Sequence, residues 1–350
     1  MSSSGQPDGV EPNSKRIVFV IGPGRSGTST IAGALAKSGF EVPGRAIRGN
    51  PRNPSGFYEP RWVVDFHRKL LDRNNVSNLD SSPDGLERMS QATAKQDVRE
   101  TLRSWLAERL EEQPRLVVKD PRTIWFRDLW VDTARELGVE PAFVTMLRHP
   151  AEVSASRRVY YNNPDEVSRG DEVNRIAGWI NVAVMAERVT QGSPRSFVRY
   201  TDLVADWRQV LGRLGDTLHL DYDPVLDVTP HPVDDFIDPS LHRVHGNWAD
   251  VDVPVALREL GENVWLALAR LADEGESGDA SAEIGDLREQ YAQMTEDAIS
   301  LNRQAIRRIA LSAKRRARRQ LRDELAKQAS AQAADTRAGG IWQRITGGKA

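Results

Sequence analysis

The 350-residue chain has no cysteine. That excludes disulfides and thiolate metal sites, and it suits a reducing cytoplasm. Nor does any run approach the roughly 20 consecutive apolar residues that a membrane-spanning helix needs. The first fourteen residues, MSSSGQPDGVEPNS, have no apolar segment of the kind found in a secretory signal, and are expected to form a disordered lead. What is present, 39% hydrophobic and 28% charged residues, is the composition of a soluble globular protein. The length suits one large domain or two smaller ones.

Net charge is −2, unevenly spread. Residues 303–322 hold nine basic side chains (Arg303, Arg307, Arg308, Lys314, Arg315, Arg316, Arg318, Arg319 and Arg322) and no acid. Taking those nine positives from the −2 total leaves −11 for the rest, so a mildly acidic body carries a strongly basic tail.

Along the body, short apolar runs alternate with helical patterns. RIVFVIG (16–22), RLVVKDP (115–121), PAFVTMLRHP (141–150) and SFVRY (196–200) read as buried strands. Helical spacing is found at 28–38, 61–73, 96–112, 125–137, 151–161, 172–190 and 202–215. The expected fold is α/β: a P-loop-like, mostly parallel sheet with helices on both faces. The acidic, small-residue stretch 273–286 reads as a linker between a body at 15–272 and a helical tail at 287–350. In that tail Leu287, Tyr291, Met294, Ala298, Leu301 and Ala305 make a heptad seam, a coiled-coil-like pattern.

The segment with the most chemical content is GPGRSGTST, 22–30, which follows a strand and opens a helix. Gly22, Gly24 and Gly27 let the backbone turn tightly and aim N–H groups into one small cavity, where the helix start adds its positive dipole end. The layout is that of a nucleotide phosphate loop, except that Thr28 stands where a nucleoside-triphosphatase needs lysine. Arg25 lies inside the loop. Asp120 follows an apolar strand, as a Mg²⁺-holding aspartate would, but Lys119 beside it would repel the ion. A second segment, LRHPAEVSASR (147–157), places Arg148 at a strand end, Pro150 at a helix start, and Ser156 two turns into that helix.

Together these segments resemble the sulfotransferase superfamily, in particular its bacterial and carbohydrate-type members. Arg25-Ser26-Gly27-Thr28-Ser29 matches the family's 5′-phosphosulfate loop, and Arg148-x-Pro150 with Ser156 matches its 3′-phosphate motif. Lys119-Asp120-Pro121 resembles a segment whose lysine faces the transferring group. Arg199-Tyr200-Thr201-Asp202-Leu203 resembles a late segment whose tyrosine lies near the adenine in some relatives. The resemblance covers about residues 16–250. It implies 3′-phosphoadenosine 5′-phosphosulfate (PAPS) as co-substrate, no metal, and transfer of a sulfuryl group to an acceptor hydroxyl, most naturally on a carbohydrate or glycan. Arg25 takes the place of the lysine of the cytosolic small-molecule members. On this basis Gly24, Arg25, Ser26, Gly27, Thr28, Ser29, Arg148, Ser156 and Tyr200 are expected to bind the donor, with Arg25 and Lys119 supplying positive charge to the reaction.

The loop NPRNPSGFYEPRW, 50–62, is the candidate acceptor loop. Phe57, Tyr58 and Trp62 are available to stack on a sugar, and Glu59 is its only acid and the candidate base. The competing reading of Glu59 is a helix-start acid. His67, beside Arg68 and Lys69, is a rival base or a surface or packing residue, and His242 or Arg243 in IDPSLHR (237–243) would reach nucleotide from a returning loop. Two other functions compete: a phosphate-loop kinase, weakened by Thr28, and a non-enzymatic scaffold acting through its tail. The tail suits a homo-oligomer or helical partner, or an anionic membrane surface, more than nucleic acid. The expected location is the cytoplasm, peripheral at the inner membrane surface.

Overall fold

The computed structural model describes residues 15–51, 53, 56–161, 168–237, 246–275 and 278–346. The expected lead at 1–14 and the positions of His242 and Arg243 lie outside the described residues. Two compact units are present, Met1–Ala292 and Gln293–Ala350.

The first unit is built on four parallel strands: β1 (Arg16–Ile21), β2 (Arg115–Lys119), β3 (Ala142–Leu147) and β4 (Arg195–Arg199), in the order β2-β1-β3-β4. All three pairings are parallel. Side chains alternate across the sheet. Ile17, Phe19 and Ile21 join Leu116, Val118 and Phe143 in one core, while Val18 and Val20 join Val117, Val144 and Met146 in the other. The first core is covered by α2 (Arg61–Arg73), α3 (Gly85–Thr93), α4 (Gln96–Glu112), α5 (Arg127–Glu136) and α7 (Arg169–Thr190), the second by α1 (Thr28–Ala36), α8 (Tyr200–Ala205) and α9 (Trp207–Leu218). Both faces are therefore apolar, which is why these strands read as unbroken hydrophobic runs. The α/β class with a parallel sheet and a long C-terminal helix is the one expected.

Chain order sets where a ligand can sit. From β1 the chain proceeds to β2 on one side, and β3 then takes the place on the other side of β1. The carboxyl ends of β1 and β3 thus flank the topological switch point, the crevice where open α/β sheets bind ligands. The glycine-rich loop leaves β1 there, and Arg148 leaves β3 there, two residues before α6 (Pro150–Tyr161).

Three local features differ from the sequence reading. The helix expected at 202–215 is two helices, because Asp206 breaks away and caps α9 by accepting from the Gln209 N–H. The helices α3 and α10 (Val255–Glu274) were not anticipated; α10 packs Leu257, Leu260, Val264 and Leu268 inward. The stretch 273–286, expected as a linker, holds the end of α10 and the start of α11 (Gly278–Thr346). Ala280, Ile284, Leu287 and Tyr291 recur at helical spacing and are buried in the body, so Leu287 and Tyr291 belong to the core and not to an intermolecular seam.

In the second unit, the described side chains of α11 from Leu301 to Lys327 are exposed, with Ala305 half-buried. No helix among the described residues is long and apolar enough to cross a membrane.

Candidate active site

The loop after β1 is shaped by backbone geometry that only certain residues accept. Gly22 has φ 125°, and a β-carbon there would lie 2.5 Å from the Met146 carbonyl oxygen. Gly27 has φ 87°, and its β-carbon would strike the Tyr200 ring. Arg25 takes the left-handed region at φ 79° without being glycine, a strain that proteins tolerate mainly at functional positions. Ser26 is buried, and its hydroxyl has no hydrogen-bond partner among the described residues. Thr28 and Ser29 open α1, where first-turn N–H groups have no helical acceptor. An anion placed in the loop would satisfy the hydroxyl and the amides together.

The second motif meets this loop. Arg25 Nε donates to Ser156 Oγ at 3.1 Å, across 131 residues of sequence. Arg148 Nη1 points to the Arg25 carbonyl oxygen at 3.4 Å, and its Nε donates to Glu152 at 2.8 Å. Its guanidinium also lies over the Tyr200 ring, 4.9 Å from the centroid. Tyr200 therefore sits between the two motifs, where burial raises its phenol above the ordinary value. His149 orients α6: its Nδ1 accepts the Ala151 N–H at 3.2 Å, while Nε2 faces Glu262 at 3.0 Å. Two neighbours escaped the sequence reading. A β-carbon on Gly24 would lie 3.5 Å from Arg157 Nη1 and 4.0 Å from Asn78 Nδ2. Arg157 adjoins Ser156 in the motif and was open to notice, whereas nothing in the sequence marks Asn78.

At the end of β2, Lys119 Nζ donates to Glu59 Oε1 at 2.5 Å. Lys119 is 3% exposed and Glu59 14%, so the pair is largely withdrawn from water yet reachable. Glu59 does not cap the helix beside it: α2 starts at Arg61 with no side-chain cap. The aromatic residues of the loop are less available than expected. Trp62 is stacked on Phe66 and Trp105 at 4.9 and 4.4 Å, and Tyr58 meets Phe236 edge-on. Phe57 is half-buried, and Arg52, Pro54 and Ser55 lie outside the described residues.

Asp120 and His67 form a different kind of site. Asp120 is fully buried; its Oδ2 accepts from His67 Nδ1 at 2.9 Å, and its Oδ1 accepts from the Arg122 N–H at 3.0 Å and from Arg122 Nη1 at 2.7 Å. The Trp130 indole N–H donates to His67 Nε2 at 2.9 Å, which fixes the neutral Nδ1–H tautomer. Burial holds the imidazole below its ordinary value, and its bonds to His67 and Arg122 hold the carboxyl down at about 2. His67, weighed as a rival base or a surface residue, is a packing residue stacked on Phe126 at 4.1 Å. Both Asp120 oxygens are therefore engaged by protein donors. Among the described residues, no cluster of three or more His, Asp or Glu could hold a metal ion. A separate polar cavity of about 550 Å³, lined by Arg158, Arg169, Glu172, Trp248 and Arg258 among others, contains none of the motif residues.

Comparison with known proteins adds a family. Residues 18–224 match the sulfotransferase family. No curated protein matches the sequence. Among solved structures, the chain is similar to the sulfotransferase domain of the olefin synthase of Synechococcus PCC 7002, at 20% identity over 83% of this chain and 98% of that one, with a TM-score of 0.37. It is also similar to a sulfotransferase from Mycobacterium tuberculosis, at 15% identity over 72% of this chain and 76% of that one, with a TM-score of 0.40. A sulfotransferase domain of the curacin biosynthetic pathway matches at 15% identity over 73% of this chain and 98% of that one, with a TM-score of 0.39.

Proposed function

This chain belongs to the sulfotransferase family, and from that premise we propose that it moves a sulfuryl group from PAPS to a hydroxyl of a carbohydrate or glycan acceptor in the cytoplasm. The observation that carries the donor half is the contact between Arg25 and Ser156 at the switch point, with Arg148 on the Arg25 carbonyl. A ligand bearing phosphates at both its 5′ and 3′ positions suits two such anion sites side by side. The buried, unpartnered Ser26 hydroxyl supports the same reading. Arg25, in place of lysine, is what favours a carbohydrate-type acceptor.

The bound donor supplies a sulfuryl group already activated by a phosphate leaving group. Arg25, the loop amides of Gly24 and Gly27, and the Ser26, Thr28 and Ser29 groups hold its 5′-phosphate. Arg148 and Ser156 hold the 3′-phosphate, and Tyr200 braces both motifs. Lys119 offsets negative charge on the transferring oxygens. Glu59 takes the acceptor proton as the new S–O bond forms and the sulfur's bond to the 5′-phosphate oxygen breaks, releasing 3′-phosphoadenosine 5′-phosphate, and the Lys119–Glu59 contact opens to admit that hydroxyl. Positioning and electrostatics do most of the work in such transfers.

The test is calorimetry with 3′-phosphoadenosine 5′-phosphate (PAP) and AMP, followed by mass spectrometry of cell extract incubated with protein and PAPS. PAP should bind much more tightly, and products heavier by one sulfuryl group should appear. Equal affinity for the two nucleotides would overturn the donor assignment.

A further inference from the structure

The arginine-rich part of α11 has a face that nothing in the described structure covers. Ile299, Ile306 and Leu321 are 51%, 48% and 57% exposed, on a helix whose other side chains in this stretch are exposed as well apart from the half-buried Ala305. Ile299, Ile306, Ala310, Ala313, Ala317 and Leu321 recur at helical spacing and fall within about 40° of one line along the helix, at roughly 100° per residue. Arg308, Arg315, Arg319 and Arg322 fall within about 40° of the opposite line. Arg307, Lys314 and Arg318 flank the apolar stripe on one side, Arg316 flanks it on the other, and Arg303 lies at the stripe's edge. Leu301 and Leu311 lie outside the stripe.

We propose that this segment docks on an anionic lipid surface, lying in the interface with its apolar stripe against the acyl chains and its arginines among the head groups. An apolar line with a basic opposite face is the pattern of an interfacial helix, and flanking Arg and Lys side chains reach head groups while their stems stay on apolar ground. Charge complementarity selects this occupant over a second copy. In an antiparallel pair centred on 303–322 the cation-rich flank meets its own copy, and in a parallel pair it meets the flank of Arg316, which offers no acid, so neither pairing gains an ion pair. A nucleic acid would use the cations and leave the isoleucines without a role.

The test uses the full chain and vesicles of two compositions, pure phosphatidylcholine and a mixture with one-third phosphatidylglycerol. Sedimentation should show at least about tenfold stronger partitioning onto the anionic vesicles, falling as salt shortens the screening length. Replacing Arg315, Arg316, Arg318 and Arg319 by Gln keeps helix propensity and should abolish most of that gain. Replacing the same four by Lys should retain it, which separates charge from helix damage. Ile299→Ser with Ile306→Ser should weaken vesicle binding at least several-fold and leave binding to duplex DNA unchanged. Equal partitioning onto both vesicles overturns the proposal. So does tighter binding to duplex DNA with the isoleucine variant fully vesicle-competent, or a stable dimer by light scattering that ignores vesicles. No arm involves donor or acceptor, so these outcomes are independent of the transferase reading.

Discussion

Lys119 and Asp120 leave the end of β2 side by side, both buried, and enter two different kinds of charge cluster. On the Asp120 side both carboxylate oxygens and both imidazole nitrogens of His67 are used, closed off by Arg122 and the Trp130 indole. On the Lys119 side one ammonium donor meets one carboxylate oxygen of Glu59, and the carboxylate keeps some exposure. An ammonium has three donors and a carboxylate about four acceptor sites, so this pair retains unused capacity. A buried network with three of about four carboxylate sites filled holds structure together and has little valence to lend to a substrate. An unsaturated pair at the ligand-binding edge can exchange its partner for a substrate hydroxyl.

The sharpest way to break that contrast is to neutralise one member of each cluster. Glu59→Gln should lower kcat per folded molecule by at least about 10²-fold, with PAP affinity near parental, because a base acts in the transition state. Lys119→Ala should also lower kcat. If Glu59→Gln keeps kcat on the true acceptor, the open pair is no more reactive than the closed one and the contrast collapses. Arg148 is an intermediate case, donating through Nε to Glu152 and through Nη1 toward the Arg25 carbonyl oxygen. Arg148→Ala should erase most of the preference for PAP over AMP, a charge-assisted contact of roughly 1.5–3 kcal/mol; titration of both nucleotides into the variant reads it. Asp120→Asn should do the reverse of Glu59→Gln. It leaves a buried donor facing a donor and should cost about 1–3 kcal/mol of stability, seen in denaturant melts, while kcat per folded molecule stays near parental.

Much of this was legible in the residues. The strands showed because both faces of the sheet are covered, and the phosphate loop showed because its turn requires glycines at positions that can be counted. Glu59 and Lys119 were each singled out, but their contact was not, since a pairing across sixty residues leaves no local trace. His67 was obscured by Arg68 and Lys69, although its spacing with Val63, Val64, Leu70 and Leu71 already put it on the buried face of α2. The stretch 273–286 misled because Gly, Ser and acid dominate its composition, while the residues that decide its helix, Ala280 and Ile284, are few and bury themselves fully. Composition reports the exposed face, and the buried face sets the element.

The smallest expected effect separates the two clusters by pH. The Asp120 carboxyl is held down at about 2 from an ordinary 3.8. The unfolded chain therefore takes up that proton first, and the stability it contributes is present above pH 3.8 and lost as pH falls toward 2. His67 acts in the same direction from a higher starting point. Burial holds its imidazole below the ordinary 6.5, so the unfolded state binds the proton first and stability declines once pH drops under 6.5. The closed cluster should thus make the body acid-sensitive in two stages, the first near neutrality. Melting curves from pH 7 to pH 5 should show a falling midpoint in the parent protein and a flatter profile in His67→Asn, whose absolute stability is lower throughout because the Asp120 and Trp130 partners are poorly matched. If both proteins lose stability with the same slope over that range, other groups carry the acid sensitivity, and the cluster is structural without being a proton-linked element.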